Sequence, residues 1–95
     1  MSQTVLNPEL QSSGLKAPRW MVVIYNNEIN SIEEVVEVLI RATACDLEEA
    51  SIETWEAHVY GKAPVHFSGR EDCEAAAAII SAIGVKTDVL PEWED

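Results

Sequence analysis

Two places in this 95-residue sequence gather side chains that could do chemistry. One is Asn26-Asn27-Glu28-Ile29-Asn30-Ser31, which sets three amides, a carboxylate and a hydroxyl side by side. The other is His58, within Glu56-Ala57-His58-Val59-Tyr60-Gly61-Lys62-Ala63. An amide offers donors and acceptors, and a neutral imidazole offers one of each. Together they can orient a small polar group without reacting with it. The same residues have plainer uses. Asn26, Asn27 and Asn30 are good turn formers, Ser31 is a good helix cap, and a lone histidine on a part-apolar helical face is commonly structural. His66, beside Phe67, reads as an exposed strand residue.

Reactive chemistry finds little support. Cys45 or Ser31 could be paired with His58 as nucleophile and base, but no motif fixes such a geometry. The 4 glycines are scattered, so no phosphate-cradling loop exists. The carboxylates cluster at helix starts, where capping explains them. Cys45 and Cys73, the 2 cysteines, form no CxxC pair and cannot build a structural zinc site alone. They read as small buried apolar residues in a reducing cytosol. His58, His66 and a carboxylate lack a recognised metal-ligand spacing. A non-enzyme without cofactor or metal is expected. The formal net charge of −11, from 17 acidic and 6 basic residues, disfavours nucleic acid and anionic membranes and suits a basic partner. The first residues lack a basic n-region with a long apolar run, so no signal peptide is expected, and no stretch is long and apolar enough to span a membrane.

The elements that would position these residues follow from periodicity. Residues 1–17 are polar and aperiodic, which predicts a mobile N-terminal tail; residues 18–95 form one domain. Arg19 to Tyr25 is dense in β-branched and aromatic residues and reads as a strand buried over much of both faces. Ser31-Ile32-Glu33-Glu34 fits a capping box and opens a helix with the apolar stripe Ile32, Val35, Val36, Leu39 and Thr43, widened by Val38 and Ile40. Asp46-Leu47-Glu48-Glu49 opens a second helix, with Leu47, Ala50, Thr54, Ala57 and His58 on one face and Gly61 as its stop. Lys62 to Ser68 reads as a strand with Val65 and Phe67 on one face, and Pro64 implies an edge or a bulge. Ser68-Gly69-Arg70-Glu71 looks like another capping box, for a helix running to about Ile83 with Cys73, Ala76, Ala77, Ile80 and Ile83 inward. Val85 to Leu90 is the last strand. The order β-α-α-β-α-β predicts an α+β fold, a three-stranded antiparallel sheet with three helices packed against it.

Taken together, the Asn26–Ser31 junction, the Val35-Val36-Glu37-Val38-Leu39 helix, Asp46-Leu47-Glu48-Glu49-Ala50 and the His58-x-x-Gly61-x-Ala63 segment resemble the ClpS family over about Pro18 to Leu90. These are adaptors of the Clp ATP-dependent protease. The resemblance implies a ClpS-like α+β domain with a mobile tail. It implies binding of substrates through a destabilising N-terminal residue, an N-degron that is aromatic or leucine. It implies delivery of those substrates to a hexameric ClpA- or ClpC-like AAA+ unfoldase for proteolysis.

Carried over residue by residue, Asn26, Asn27 and His58 match the groups that hold the substrate's α-ammonium, with Glu28 the acidic neighbour and Asn30 a polar residue near the rim. Ile32 matches a bulky gatekeeper. Val35, Thr54 and Ala57 match the pocket wall, and Glu71 matches the surface that docks the unfoldase. A monomer is expected, working in the cytoplasm of a bacterium or in a plastid. The sequence departs from the family pattern in having amides at both 26 and 27, where at least one Asp is usual. Asn27→Asp is therefore expected to tighten the grip on an ammonium without disturbing packing. Thr54 replaces a Met, and Ala76 stands where some members place a docking Lys. Two other readings compete: a divergent paralogue that docks and modulates a Clp unfoldase without reading N-termini, and a ribosome-stalk-like interaction domain.

Overall fold

The computed structural model describes residues 19–92, so the tail expected at residues 1–17 lies outside the described residues. The strand of β-branched residues forms β1 (Trp20–Tyr25) and lies at the centre of a three-stranded sheet of order β2-β1-β3. Both neighbours, β2 (Lys62–Ser68) and β3 (Thr87–Pro91), pair antiparallel to it. Three helices complete the chain: α1 (Ile32–Thr43), α2 (Leu47–Tyr60) and α3 (Arg70–Ser81), with α1 packed between the other two. This is the predicted α+β architecture in the predicted order. The core joins Val22 and Ile24 of β1 to the inner faces of all three helices, including Leu39, Ala57, Cys73 and Ile80.

Local sequence accounts for most helix ends. The Ser31 hydroxyl accepts from the Glu34 N–H, and the Glu34 carboxylate accepts from the Ser31 N–H, which completes a capping box. Asp46 caps α2 through the Glu49 N–H. Gly61 ends α2 at φ 90°, a left-handed conformation that suits glycine.

Five expectations are corrected. The third capping box does not form. The N-cap of α3 is Gly69, which has no side chain to accept a bond, because Ser68 is still the last residue of β2. Helix α3 ends at Ser81, and 82–84 are a turn. The stripe of α1 is centred on Val35, Val38 and Leu39, leaving Ile32 63% exposed at the first helical position. Leu47 and His58 likewise stand outside the buried face of α2, which holds Ala50, Glu53, Thr54 and Ala57.

The fifth correction concerns β2. Val65 and Phe67 do not share a face. The register pairs Val22 with His66 and Val23 with Pro64, so Val65 is an extra residue in a bulge. One extra residue reverses the alternation. Phe67 falls opposite Met21 on the face shared with Leu90, where Arg19 lies over its ring at 5.5 Å. His66 falls opposite Val22 on the helix side, half-buried and 3.0 Å from the Asp72 carboxylate. That contact holds the Asp72 carboxyl below its ordinary range.

Candidate functional site

The junction between β1 and α1 is held open by its own amides. The Asn30 N–H donates to the Asn27 side-chain oxygen at 3.2 Å. A backbone N–H can only donate, so this bond fixes which way the Asn27 amide faces. Its nitrogen then donates to the Asn30 side-chain oxygen at 2.9 Å and to the Gly84 carbonyl at 3.4 Å. The Asn30 nitrogen donates in turn to the Ile83 carbonyl at 2.9 Å and to Glu34 at 3.3 Å. Asn27 and Asn30 therefore lock the start of α1 to the turn after α3, a span of more than fifty residues along the chain. The bonds from the Ser31 backbone and the Asn30 side chain hold the Glu34 carboxyl below its ordinary range.

A second tie closes the opposite side. The Asn26 N–H donates to the Gly61 carbonyl at 2.9 Å, which brings the end of β1 to the end of α2 and so to His58. Between these ties lies a cavity of about 50 Å³. Its apolar wall includes Ile24, Val35, Ala57 and Val85. Thr54 also lines it, and its hydroxyl donates to the Ala50 carbonyl one turn earlier at 2.8 Å, so its donor is spent within the helix. Ile32 stands at the exposed rim.

The cavity thus brings together Asn26, Asn27, Asn30, Ile32, Val35, Thr54, Ala57 and His58, which come from two separate stretches of the chain, 26–35 and 54–58. Their polar groups are not equivalent. Asn27 and Asn30 are committed to the frame, whereas the side chains of Asn26 and His58 bond no protein group among the described residues. The Asn26 oxygen and a His58 ring nitrogen are the groups left to accept from a ligand.

The expectation that Asn27→Asp leaves packing unchanged is overturned by this network. An aspartate there would set a carboxylate oxygen where an amide nitrogen now faces the Asn30 oxygen at 2.9 Å and the Gly84 carbonyl at 3.4 Å. Glu28 is exposed and does not line the cavity, and Glu71 is exposed in the first turn of α3, on another element. Tyr25, Ile24 and Val85 line the cavity without having been singled out from the sequence. Ile24 is legible as a buried strand residue, whereas Val85, expected to open the last strand, lies just before β3, which starts at Thr87; nothing local places either beside the α2 residues. Among the described residues no group of three His, Cys, Asp or Glu side chains is arranged to hold a metal ion, and both cysteines are free.

Comparison with known proteins bears on this arrangement. The family model described as ATP-dependent Clp protease adaptor protein ClpS matches residues 15–87. Among solved structures, that of Agrobacterium tumefaciens ClpS2 bound to L-phenylalaninamide superposes with a TM-score of 0.75 at 20% identity, covering 81% of this chain and 100% of that one. At that identity the likeness is one of fold. No curated protein matches the chain.

Proposed function

The chain belongs to the ClpS family of Clp protease adaptors, and on that premise we propose that it binds substrates by their free N-terminal residue in the Asn26–His58 cavity. It then hands them to a Clp AAA+ unfoldase. The observation that carries this reading is a small apolar cavity with two unengaged polar groups, Asn26 and His58, at its mouth. Few polar groups suffice to orient a ligand in an apolar pocket. An α-ammonium has three donors and no acceptor, so it seeks the Asn26 oxygen and a His58 nitrogen. The side chain that follows it enters between Val35, Thr54, Ala57 and Val85. The A. tumefaciens ClpS2 structure carries an amino-acid amide with this same pairing of free amine and apolar side chain.

The cavity is small and its wall is apolar, which suits an apolar side chain such as that of leucine. Glu71, exposed on α3, and residues 1–17 serve the contact with the unfoldase, and the adaptor works as a non-catalytic monomer without a cofactor. The test is titration of a C-terminally labelled peptide beginning with Leu against wild type and His58→Ala, by fluorescence anisotropy. Losing a hydrogen bond to a charged group predicts about 1–3 kcal/mol weaker binding. Equal affinity of the two proteins, with the fold intact by circular dichroism, removes His58 from the site.

A further inference from the structure

The acidic residues of α2 are explained only in part by its N-terminus. Asp46 caps the helix, and Glu48 and Glu49 sit in its first turn, where the helix dipole favours them. Glu53 lies beyond that turn and inside the buried stripe with Ala50, Thr54 and Ala57. It is only 9% exposed, and its Oε1 has no hydrogen-bond partner among the described residues. A buried carboxylate is costly unless paired. The carboxyl lines a groove of about 340 Å³ that runs along α2 to Pro64 on edge strand β2, with Asp46, Glu48, Glu49 and Glu56 around it. On its other side Glu53 meets a space lined by Arg19, Cys45 and His66. Both basic side chains there are engaged, Arg19 with Glu92 at 3.2 Å and His66 with Asp72 at 3.0 Å.

We propose that the groove along α2 is a second binding site, which takes a lysine or arginine side chain of a protein partner between the carboxylates of Glu49 and Glu53. The unpaired Oε1 has almost no exposed surface, so the Glu53 side chain turns toward the groove to meet a cation, whose several donors then bond the Glu49 and Glu53 carboxylates together. No metal-ligand cluster forms among the described residues, so an organic cation is the matching chemistry. A protein source follows from what borders the groove. Ile52, Trp55 and Val59, spaced three and four apart, make an exposed apolar stripe on the same helix, with Trp55 57% exposed and edge-on to Tyr60 at 6.1 Å. Ile52 belongs to both stripe and groove. A partner that sets an apolar residue beside a basic one is complementary to both.

Burial first, then the charge and hydrogen bond of Glu49 and the charge of Glu56, push the Glu53 carboxyl up to about 8. At neutral pH it holds a proton, which a bound cation replaces. Binding therefore releases a proton and tightens as pH rises toward that value.

The experiment uses an acetylated peptide, Ac-Leu-Arg-Leu-Gly-amide, its citrulline counterpart and spermidine, followed by amide chemical shifts of the whole chain. Acetylation keeps the peptide out of any α-amine site, so the result is independent of the N-terminal reading. The arginine peptide is expected to shift Glu49, Ile52 and Glu53 saturably. Binding should be severalfold tighter at pH 8 than at pH 6 and at least fivefold weaker for Glu53→Gln and for the exposed Glu49→Gln. The citrulline peptide should bind at least tenfold more weakly than the arginine peptide. Equal binding of the citrulline peptide, shifts confined elsewhere, affinity indifferent to both variants, or tighter saturation by spermidine than by the peptide would each overturn the proposal.

Discussion

Two sets of polar side chains leave water in this domain, and they are treated oppositely. At the β1–α1 junction the Asn27 and Asn30 amides find partners, one of them fixed by a backbone N–H and two by backbone carbonyls. On α2 the Glu53 carboxyl enters the core side of the helix with an oxygen that bonds nothing among the described residues. Satisfied amides cost little and stiffen the loop that frames the cavity. A buried carboxyl with one oxygen unpaired costs stability and keeps its proton. The first region is a frame whose free groups, Asn26 and His58, stand at its mouth; the second is a buried acid on a helix face.

The largest expected effect breaks the second half of this contrast. Glu53 ionises near its ordinary value of 4.5 when unfolded and near about 8 when folded. Between those values the folded chain binds more protons, so stability is fully present below the lower value and falls as pH rises through the upper one. At about 1.4 kcal/mol per pH unit, reduced by local relaxation, the loss is on the order of 2–4 kcal/mol. Thermal melts from pH 4.5 to 9 should show this decline in wild type and a much flatter profile in Glu53→Gln. A wild-type profile as flat as the variant's would mean Glu53 is solvated.

Next comes the frame. Asn30→Ala removes the bonds to Ile83 and Asn27 and should cost roughly 2–3 kcal/mol, or about 10–20 °C in melting temperature. Melts of the variant measure it, and a shift of only a degree or two would show that the amides merely decorate the turn.

How far these two regions were legible beforehand differs for physical reasons. Capping at Ser31 and Asp46 needs only neighbours in sequence, and both caps form as read. The bonds of Asn27 and Asn30 to Gly84 and Ile83 reach across the fold, so the sequence showed turn formers but not a staple. Phe67 was placed on the wrong face because the bulge at Val65 is set by pairing with β1 and leaves no local mark beyond Pro64. Glu53 carries a signal in the sequence itself. Ala50, Glu53, Thr54 and Ala57 follow helical core spacing, and a charge on such a stripe marks a site or a strain. His58 and Asn26 were found as residues, but only the Asn26–Gly61 backbone bond explains why they meet.

A smaller effect separates framing amides from a ligand-facing one. Asn27→Asp should lower stability by about 1–2 kcal/mol, since its carboxylate would face two acceptors. Asn26→Asp should leave the fold intact and tighten a free α-amine by roughly 0.5–1.5 kcal/mol, up to about tenfold, because a charged acceptor is the stronger one. Melts and anisotropy titrations on both variants would decide it; the reverse pattern would exchange their roles.

On the proposed function, the Asn26–His58 cavity reads a free N-terminus. Its most direct test is one anisotropy titration of the unmodified chain with a Leu-initiated peptide and its N-acetylated twin, at low and high salt. The free peptide should bind at least tenfold more tightly than the acetylated one, with a gap that narrows only modestly in salt because the hydrogen bonds persist after screening. Equal binding of the two peptides would contradict the account.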